Sequence, residues 1–189
     1  MIDIKENFLP VSFSRKLIQM VESVEFPWFF FDNSATDKPT SLKRPQFVHT
    51  LYTNNAPNSQ YFDIFFPFLY FIEDKYNVEI SDIVKVKINF LQNKKNSLMH
   101  LPHIDVAEPG FTSFVYYLNN SDGDTVIYNE FKNIENPSYY ENDANLTVCK
   151  CITPVFNNIV KFNSDQYHSY YNPIKSDSRY VINIVLKLI

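Results

Sequence analysis

From residue 83 onward this chain is written with a period of two. Val84, Val86, Ile88 and Phe90 alternate with Lys85, Lys87, Asn89 and Leu91, and successive strand residues point to opposite faces of a sheet. The pattern predicts a strand, and further strand-like runs follow at residues 111–119, 125–128, 152–162 and 178–185. Composition agrees: 18 Phe and 13 Tyr stand against 2 Gly, which favours a pleated, aromatic-rich β core over a Gly-rich phosphate-binding architecture. Both glycines, Gly110 and Gly123, fall in turns flanking one strand.

The N-terminal part reads differently. Phe13, Leu17, Ile18, Met20 and Val21 recur near helical spacing, which predicts a helix from Ser12 to about Val24, ended by Pro27. A second helix is expected from about Ser59 to Lys75, buried because it is rich in Phe, Tyr, Leu and Ile, and kinked or divided at Pro67. Residues 33–58 are polar, carry three prolines and read as loop, with one short strand around Phe47 to Leu51. His49 in that strand has no partner at ligand spacing and is expected to be structural. Helices first and strands afterwards indicate an α+β fold with helices packed on one sheet of a β-sandwich, compatible with a jelly roll. At 189 residues the chain is expected to be a single domain: about 1–82 mainly helical support, about 83–189 a jelly-roll core with a long insert near 129–150.

A net charge of −4 without a block of like charges argues against nucleic acid as a partner. The first seven residues lack the basic start and apolar run of a signal peptide, and no stretch approaches the length that spans a bilayer, so a soluble cytoplasmic protein is expected. Cys149 and Cys151, two apart in an apparent strand, lie poorly for a mutual disulfide and lack further Cys or His at zinc-knuckle spacing. Both are read as reduced and structural.

His103 and Asp105 stand two apart, so on a strand both side chains can reach one ion, while His168 must arrive from another strand. Two imidazoles and one carboxylate make the facial triad that holds non-haem Fe(II). His100 forms a competing His-x-x-His pair with His103; the Asp two residues on favours His103, and His100 is assigned to the entrance. Arg179 is a cation in the apolar run 178–185, where alternation puts Arg179, Val181, Asn183 and Val185 on one face. The same parity groups Ser113, Val115 and Tyr117. The plainer alternatives are a surface ion pair for Arg179 and a core aromatic for Tyr117.

Taken in order, His103-Ile-Asp105, the Tyr-Tyr-Leu-Asn strand at 116–119, the turn Ser121-Asp-Gly-Asp124, His168 and Arg179 resemble the Fe(II)/2-oxoglutarate-dependent dioxygenases, in particular their prolyl-hydroxylase-like branch. The resemblance covers about residues 84–189, and the N-terminal part more loosely through residues 6–10 and 26–29. It implies a double-stranded β-helix (jelly roll, cupin-like) with Fe(II) on His103, Asp105 and His168. It implies 2-oxoglutarate chelating the iron, its far carboxylate on Arg179 and Tyr117, with Asn183 adding a polar contact. Hydroxylation of a peptide or small molecule, with release of succinate and carbon dioxide, is the implied reaction, and ascorbate the common reductant. A homodimer is compatible with such a chain. Nucleic-acid demethylases of the superfamily often carry a second Arg in the last strand, and none follows Arg179 here. The alternative reading is a catalytically inactive, metal-binding jelly-roll binding module. Residues 129–150, Asn-rich and containing Pro137, Tyr139 and Tyr140, are expected to be either a lid or a partly disordered insert.

Overall fold

The structure, a computed structural model, describes residues 1–32, 44–95, 98–133, 135–140 and 142–189. In chain order the elements are β1 (Asp3–Lys5), α1 (Val11–Glu22), β2 (Phe29–Phe31), β3 (Gln46–Thr53), β4 (Ala56–Pro57), α2 (Phe62–Phe65) and α3 (Pro67–Tyr76). Strands β5 (Ile80–Gln92), β6 (Phe111–Tyr117), β7 (Thr125–Phe131), β8 (Val148–Ile152), β9 (Ile159–Asn163), β10 (Gln166–Tyr170) and β11 (Ser178–Leu188) complete the chain. They form an eight-stranded sheet, β1-β9-β6-β11-β5-β3-β2 with β4 on β3, and a three-stranded sheet, β10-β7-β8.

The period of two decides which face each residue takes. On one face of the large sheet, Val86 and Ile88 of β5, Phe114 and Tyr116 of β6, and Ile182, Ile184 and Leu186 of β11 pack against Leu17 and Val21 of α1 and Phe65, Phe68 and Ile72 of the other helices. Each such side chain stabilises the fold by about 1.5–3 kcal/mol when fully buried. On the opposite face, Val115 and Tyr117 of β6 and Val181 of β11 join Val160, Phe162, Ile152 and Ile127 in a second cluster between the sheets. Asn157 ties the helical layer to the sheet. It adopts φ +67°, its Oδ1 accepts hydrogen bonds from the Leu9 N–H, Ser14 Oγ and Tyr116 hydroxyl, and its Nδ2 donates to the Leu9 carbonyl.

The expected first helix is α1. The second is divided, as Pro67 allows: α2 ends at Phe65, and Pro67 opens α3, where its missing N–H is one that a helix start leaves unpaired anyway. Residues 1–82 are less helical than expected, because β2, β3 and β4 extend the large sheet beyond β5. The strand expected at 47–51 is the longer β3, whose Phe47 stacks on Phe90, which in turn stacks on Tyr180. Part of the loop expected at 33–58 lies outside the described residues. Cys149 and Cys151 are free but exposed rather than packed in a core, because β8 is an edge strand of the small sheet. Among the described residues no helix is long and apolar enough to cross a membrane.

Candidate metal centre

The register of the large sheet lays its inner residues out in rows. Across β11 and β5, Arg179 faces Leu91, Val181 faces Asn89, Asn183 faces Lys87 and Val185 faces Lys85. On the other side of β11, Tyr117 faces Val181, Val115 faces Asn183 and Ser113 faces Val185. A guanidinium therefore marks one end of this face, and Ser113 with Lys85 the other.

His168 comes from β10 of the small sheet, and the chain at His103 lies antiparallel beside it. The two backbones exchange N–H to carbonyl bonds at 2.9 Å in each direction. His103 sits in an isolated bridge and Asp105 at a bend, so a turn of the chain rather than a regular strand brings them to one side. One donor atom from each of His103, Asp105 and His168 lies within 4.8 Å of the others. This trio can hold a metal ion. Hydrogen bonds select the imidazole atoms that face it. Nδ1 of His103 lies 2.8 Å from the Leu101 carbonyl, and Nδ1 of His168 lies 3.2 Å from the Gln166 carbonyl. A carbonyl only accepts, so each Nδ1 carries the proton and each Nε2 presents a lone pair. Burial, followed by the neighbouring His168, pushes the His103 imidazole down to about 3. Burial likewise lowers His168. Both rings are neutral near pH 7, as ligands must be.

Asp105 is held on both oxygens. Lys85 Nζ donates to Oδ1 at 3.0 Å, and Ser113 Oγ donates to Oδ2 at 2.7 Å. Ser164 braces Ser113 at 2.9 Å, and its carbonyl accepts the Asp105 N–H. Burial alone would raise the carboxyl, but the Lys85 ammonium and then the two imidazoles hold it well below the usual carboxylate range. Two carboxylate oxygens offer about four lone-pair sites, so these partners leave room for a metal.

Arg179 is 2% exposed. Its Nε donates to the Gly123 carbonyl at 2.7 Å and one terminal nitrogen donates to Thr125 Oγ1 at 2.8 Å, while its carbon lies 5.1 Å from the Tyr170 ring centre. Among the described residues no carboxylate pairs with it. The surface ion-pair alternative fails, since the side chain is buried. Tyr117 donates to the same Thr125 hydroxyl at 2.9 Å, and burial pushes its own hydroxyl up to about 12. A narrow cavity lined by His168, Tyr170, Arg179, Thr125, Asn89, Asn183, Val115 and Val181 connects this end to the trio. Tyr170, beneath the guanidinium, is two residues along β10 from His168, a separation of ~7 Å. Among the described residues, Asn89, 1% exposed, leaves its Oδ1 without a hydrogen-bond partner, and buried Gln46 likewise leaves its Nε2. Such orphaned buried polar atoms are uncommon and mark a place for a polar ligand.

His100 is not at an entrance. Its ring is 2% exposed, stacks on Tyr170 at 4.3 Å and bonds Asn172 through Nε2 at 3.0 Å. It lies outside the trio and supports Tyr170 from behind. His49 is structural as expected, bonded to the Pro27 carbonyl and the Ser59 hydroxyl at 2.7 Å each. Residues 138–140 run beside the metal-side segment: the Ile104 N–H donates to the Ser138 carbonyl, the Tyr140 N–H donates to the Pro102 carbonyl, and Tyr139 bridges to His103. This part of the long connection is docked on a candidate ligand's own backbone. Sequence reasoning missed Lys85, which holds the Asp105 carboxylate, although alternation along β5 gave the face it shares with Lys87 and Asn89.

No protein-family model and no curated protein matches the sequence. Solved structures do match in fold. A prolyl hydroxylase from Trichoplax adhaerens, in complex with a hypoxia-inducible-factor oxygen degradation domain peptide, is 18% identical over 98% of this chain and 83% of its own, at a TM-score of 0.64. An oxidoreductase of the 2OG-Fe(II) oxygenase family from Burkholderia pseudomallei is 12% identical over 98% and 85%, also at 0.64. HygX from Streptomyces hygroscopicus, with nickel and 2-oxoglutarate bound, is 7% identical over 98% and 82%, at 0.63. Over nearly its whole length, this chain has the fold of the 2OG-Fe(II) oxygenases.

Proposed function

We propose that this chain is an Fe(II)- and 2-oxoglutarate-dependent oxygenase, a hydroxylase of a peptide or small molecule, and that its two sheets are the halves of a double-stranded β-helix. One observation carries the reading: His168, one of three clustered ligand residues, and the buried Arg179, which has no carboxylate partner among the described residues, line one cavity. Two neutral imidazoles and a carboxylate suit non-haem Fe(II) and leave coordination positions open. The guanidinium, which lies over Tyr170 and lines the same cavity as His168, suits the far carboxylate of a five-carbon diacid, which its planar fork can grip. HygX supports the cosubstrate, since its structure holds 2-oxoglutarate and nickel. The peptide-bound Trichoplax enzyme supports a peptide as one class of substrate.

Iron and 2-oxoglutarate, when bound, supply the oxidising power, with succinate and carbon dioxide as products. The chain supplies the rest. His103 and His168 present fixed Nε2 lone pairs and need no change of protonation to act as ligands. Ser113 and Lys85 orient the Asp105 carboxylate. Thr125 and Tyr117 hold the Arg179 end of the cavity, while Val115 and Val181 line it with apolar groups and restrict water. Asn89 and Asn183 offer polar contacts along its length. Ascorbate as reductant rests on the resemblance, and a homodimer is compatible with the chain.

One observation favours the non-catalytic binding-module reading: Asp105 already has an ion pair with Lys85. Succinate release separates the two. Protein supplied with Fe(II), 2-oxoglutarate and oxygen is expected to form succinate slowly, faster with its proper substrate, not at all as His168→Ala, and only at raised 2-oxoglutarate as Arg179→Ala. Succinate no higher than in a metal-free blank contradicts the oxygenase.

A further inference from the structure

Lys85 and Lys87 are unusual company for a metal centre. Both project from β5 onto the inner face, opposite Val185 and Asn183 of β11. Lys85 reaches the Asp105 carboxylate at 3.0 Å and is 28% exposed, so it stands on the solvent side of the site. Lys87, two residues along the same face, is half-buried and close enough to His103 and His168 for its charge to disfavour their protonation, and among the described residues it has no hydrogen bond or ion pair. A half-buried cation without a counter-ion gains by pairing with an anion that arrives.

Charge balance says what that must be. In the loaded centre, the two charges of the metal and that of Arg179 are matched by Asp105 and the two carboxylates of 2-oxoglutarate. Both lysines are left over, in a protein whose net charge is −4. The surplus is local and lies beside the metal.

We propose that Lys85 and Lys87 form an anion-binding lip on the metal centre, so that the substrate carries a carboxylate or phosphate close to the carbon that is oxidised. This rests on the oxygenase reading and narrows its substrate class. Lys87 is the principal contact, since Lys85 is already engaged by Asp105. The lysines act as specificity-determining residues.

The test titrates inorganic phosphate into the full-length protein, first metal-free, then loaded with Mn(II) and saturating 2-oxoglutarate without oxygen, and follows the 31P line width. Saturable broadening is expected in both states, about tenfold weaker in Lys87→Met and largely kept in Lys87→Arg. Mn(II) is expected to shorten the relaxation time of the bound phosphate. Circular dichroism on Lys87→Met and Lys87→Gln confirms that at least one variant is folded. No saturable binding in the parent, or equal binding in a folded Lys87 variant, overturns the proposal. So does a variant that loses 2-oxoglutarate affinity while holding phosphate unchanged, because Lys87 would then serve the cosubstrate. Mn(II) binding without phosphate binding sinks this inference alone. Lys87-dependent phosphate binding without Mn(II) binding supports the anion site and sinks the metal reading.

Discussion

Arg179 and Gly123 fit against each other without room for a methyl group. The guanidinium Nε donates to the Gly123 carbonyl at 2.7 Å, and a Cβ built on Gly123 would lie 2.9 Å from Arg179 Cδ and 2.6 Å from the Tyr171 carbonyl oxygen. The small residue in this turn is what lets a buried cation be held by backbone. Gly123→Ala is therefore expected to lower stability by about 1–3 kcal/mol through overpacking and to weaken 2-oxoglutarate binding while sparing metal affinity. Thermal unfolding and a cosubstrate titration check both. An unchanged melting temperature with normal cosubstrate affinity would dissociate Gly123 from the placement of Arg179.

Ser113→Ala removes one of the two side-chain hydrogen bonds that orient Asp105. Metal affinity is expected to fall about 10- to 100-fold, the usual effect of losing a group that positions a ligand. Metal binding by calorimetry measures it. Equal affinity in parent and variant would leave Lys85 as the sole orienting contact.

Asn157 joins Leu9, Ser14 and Tyr116 from a left-handed backbone position. Asn157→Ala strands several buried partners and places Ala at positive φ, so a loss of about 2–4 kcal/mol in stability is expected. Denaturant unfolding reads the loss. The helical layer lies on the sheet face away from the cavity, so metal affinity in the folded variant should stay at the parent level; a large drop would show that the layer shapes the centre.

His100 sets a pH dependence. Burial pushes it down to about 3 in the folded chain despite the Asn172 hydrogen bond, whereas an unfolded His titrates near ~6.5. Between these values the unfolded state binds the extra proton, so its contribution to stability is present above pH ~6.5 and is lost as pH falls toward the folded value. The slope is about 1.4 kcal/mol per pH unit for one such group. Denaturant unfolding of metal-free protein between pH 7 and 5 should show that slope reduced by about this amount in His100→Gln. An identical pH profile in the variant would mean that His100 titrates alike in the folded and unfolded chain.

Much of the centre was legible because its chemistry is carried by residue types that an apolar strand would otherwise exclude. His103, Asp105, His168 and Arg179 stand out in that way, and parity along β11 puts Asn183 beside Arg179 in the cavity lining, whereas Tyr117 is a core residue whose hydroxyl is bonded to Thr125. What stayed hidden depends on register between distant strands. Lys85 meets Asp105 because the chain after His103 turns back past β5, and nothing local announces that turn. His100 is buried by Asn172, 72 residues away, so its position could not be read from its neighbours. The exposure of Cys149 and Cys151 follows from the edge position of β8, which composition does not encode. The extra strands β2 and β4 are three residues and two residues long, too short for a periodic signal.

The most direct test of the central claim is an anaerobic calorimetric titration of Fe(II), followed by 2-oxoglutarate, into the parent, His168→Ala, His100→Ala and Arg179→Ala. The parent should take up one equivalent of each, with His100→Ala close to it in iron affinity and His168→Ala severely weakened. Arg179→Ala should keep its iron and lose 2-oxoglutarate affinity by about 30- to 5,000-fold, corresponding to about 2–5 kcal/mol. Iron affinity unaltered by His168→Ala, or 2-oxoglutarate affinity unaltered by Arg179→Ala, would contradict it.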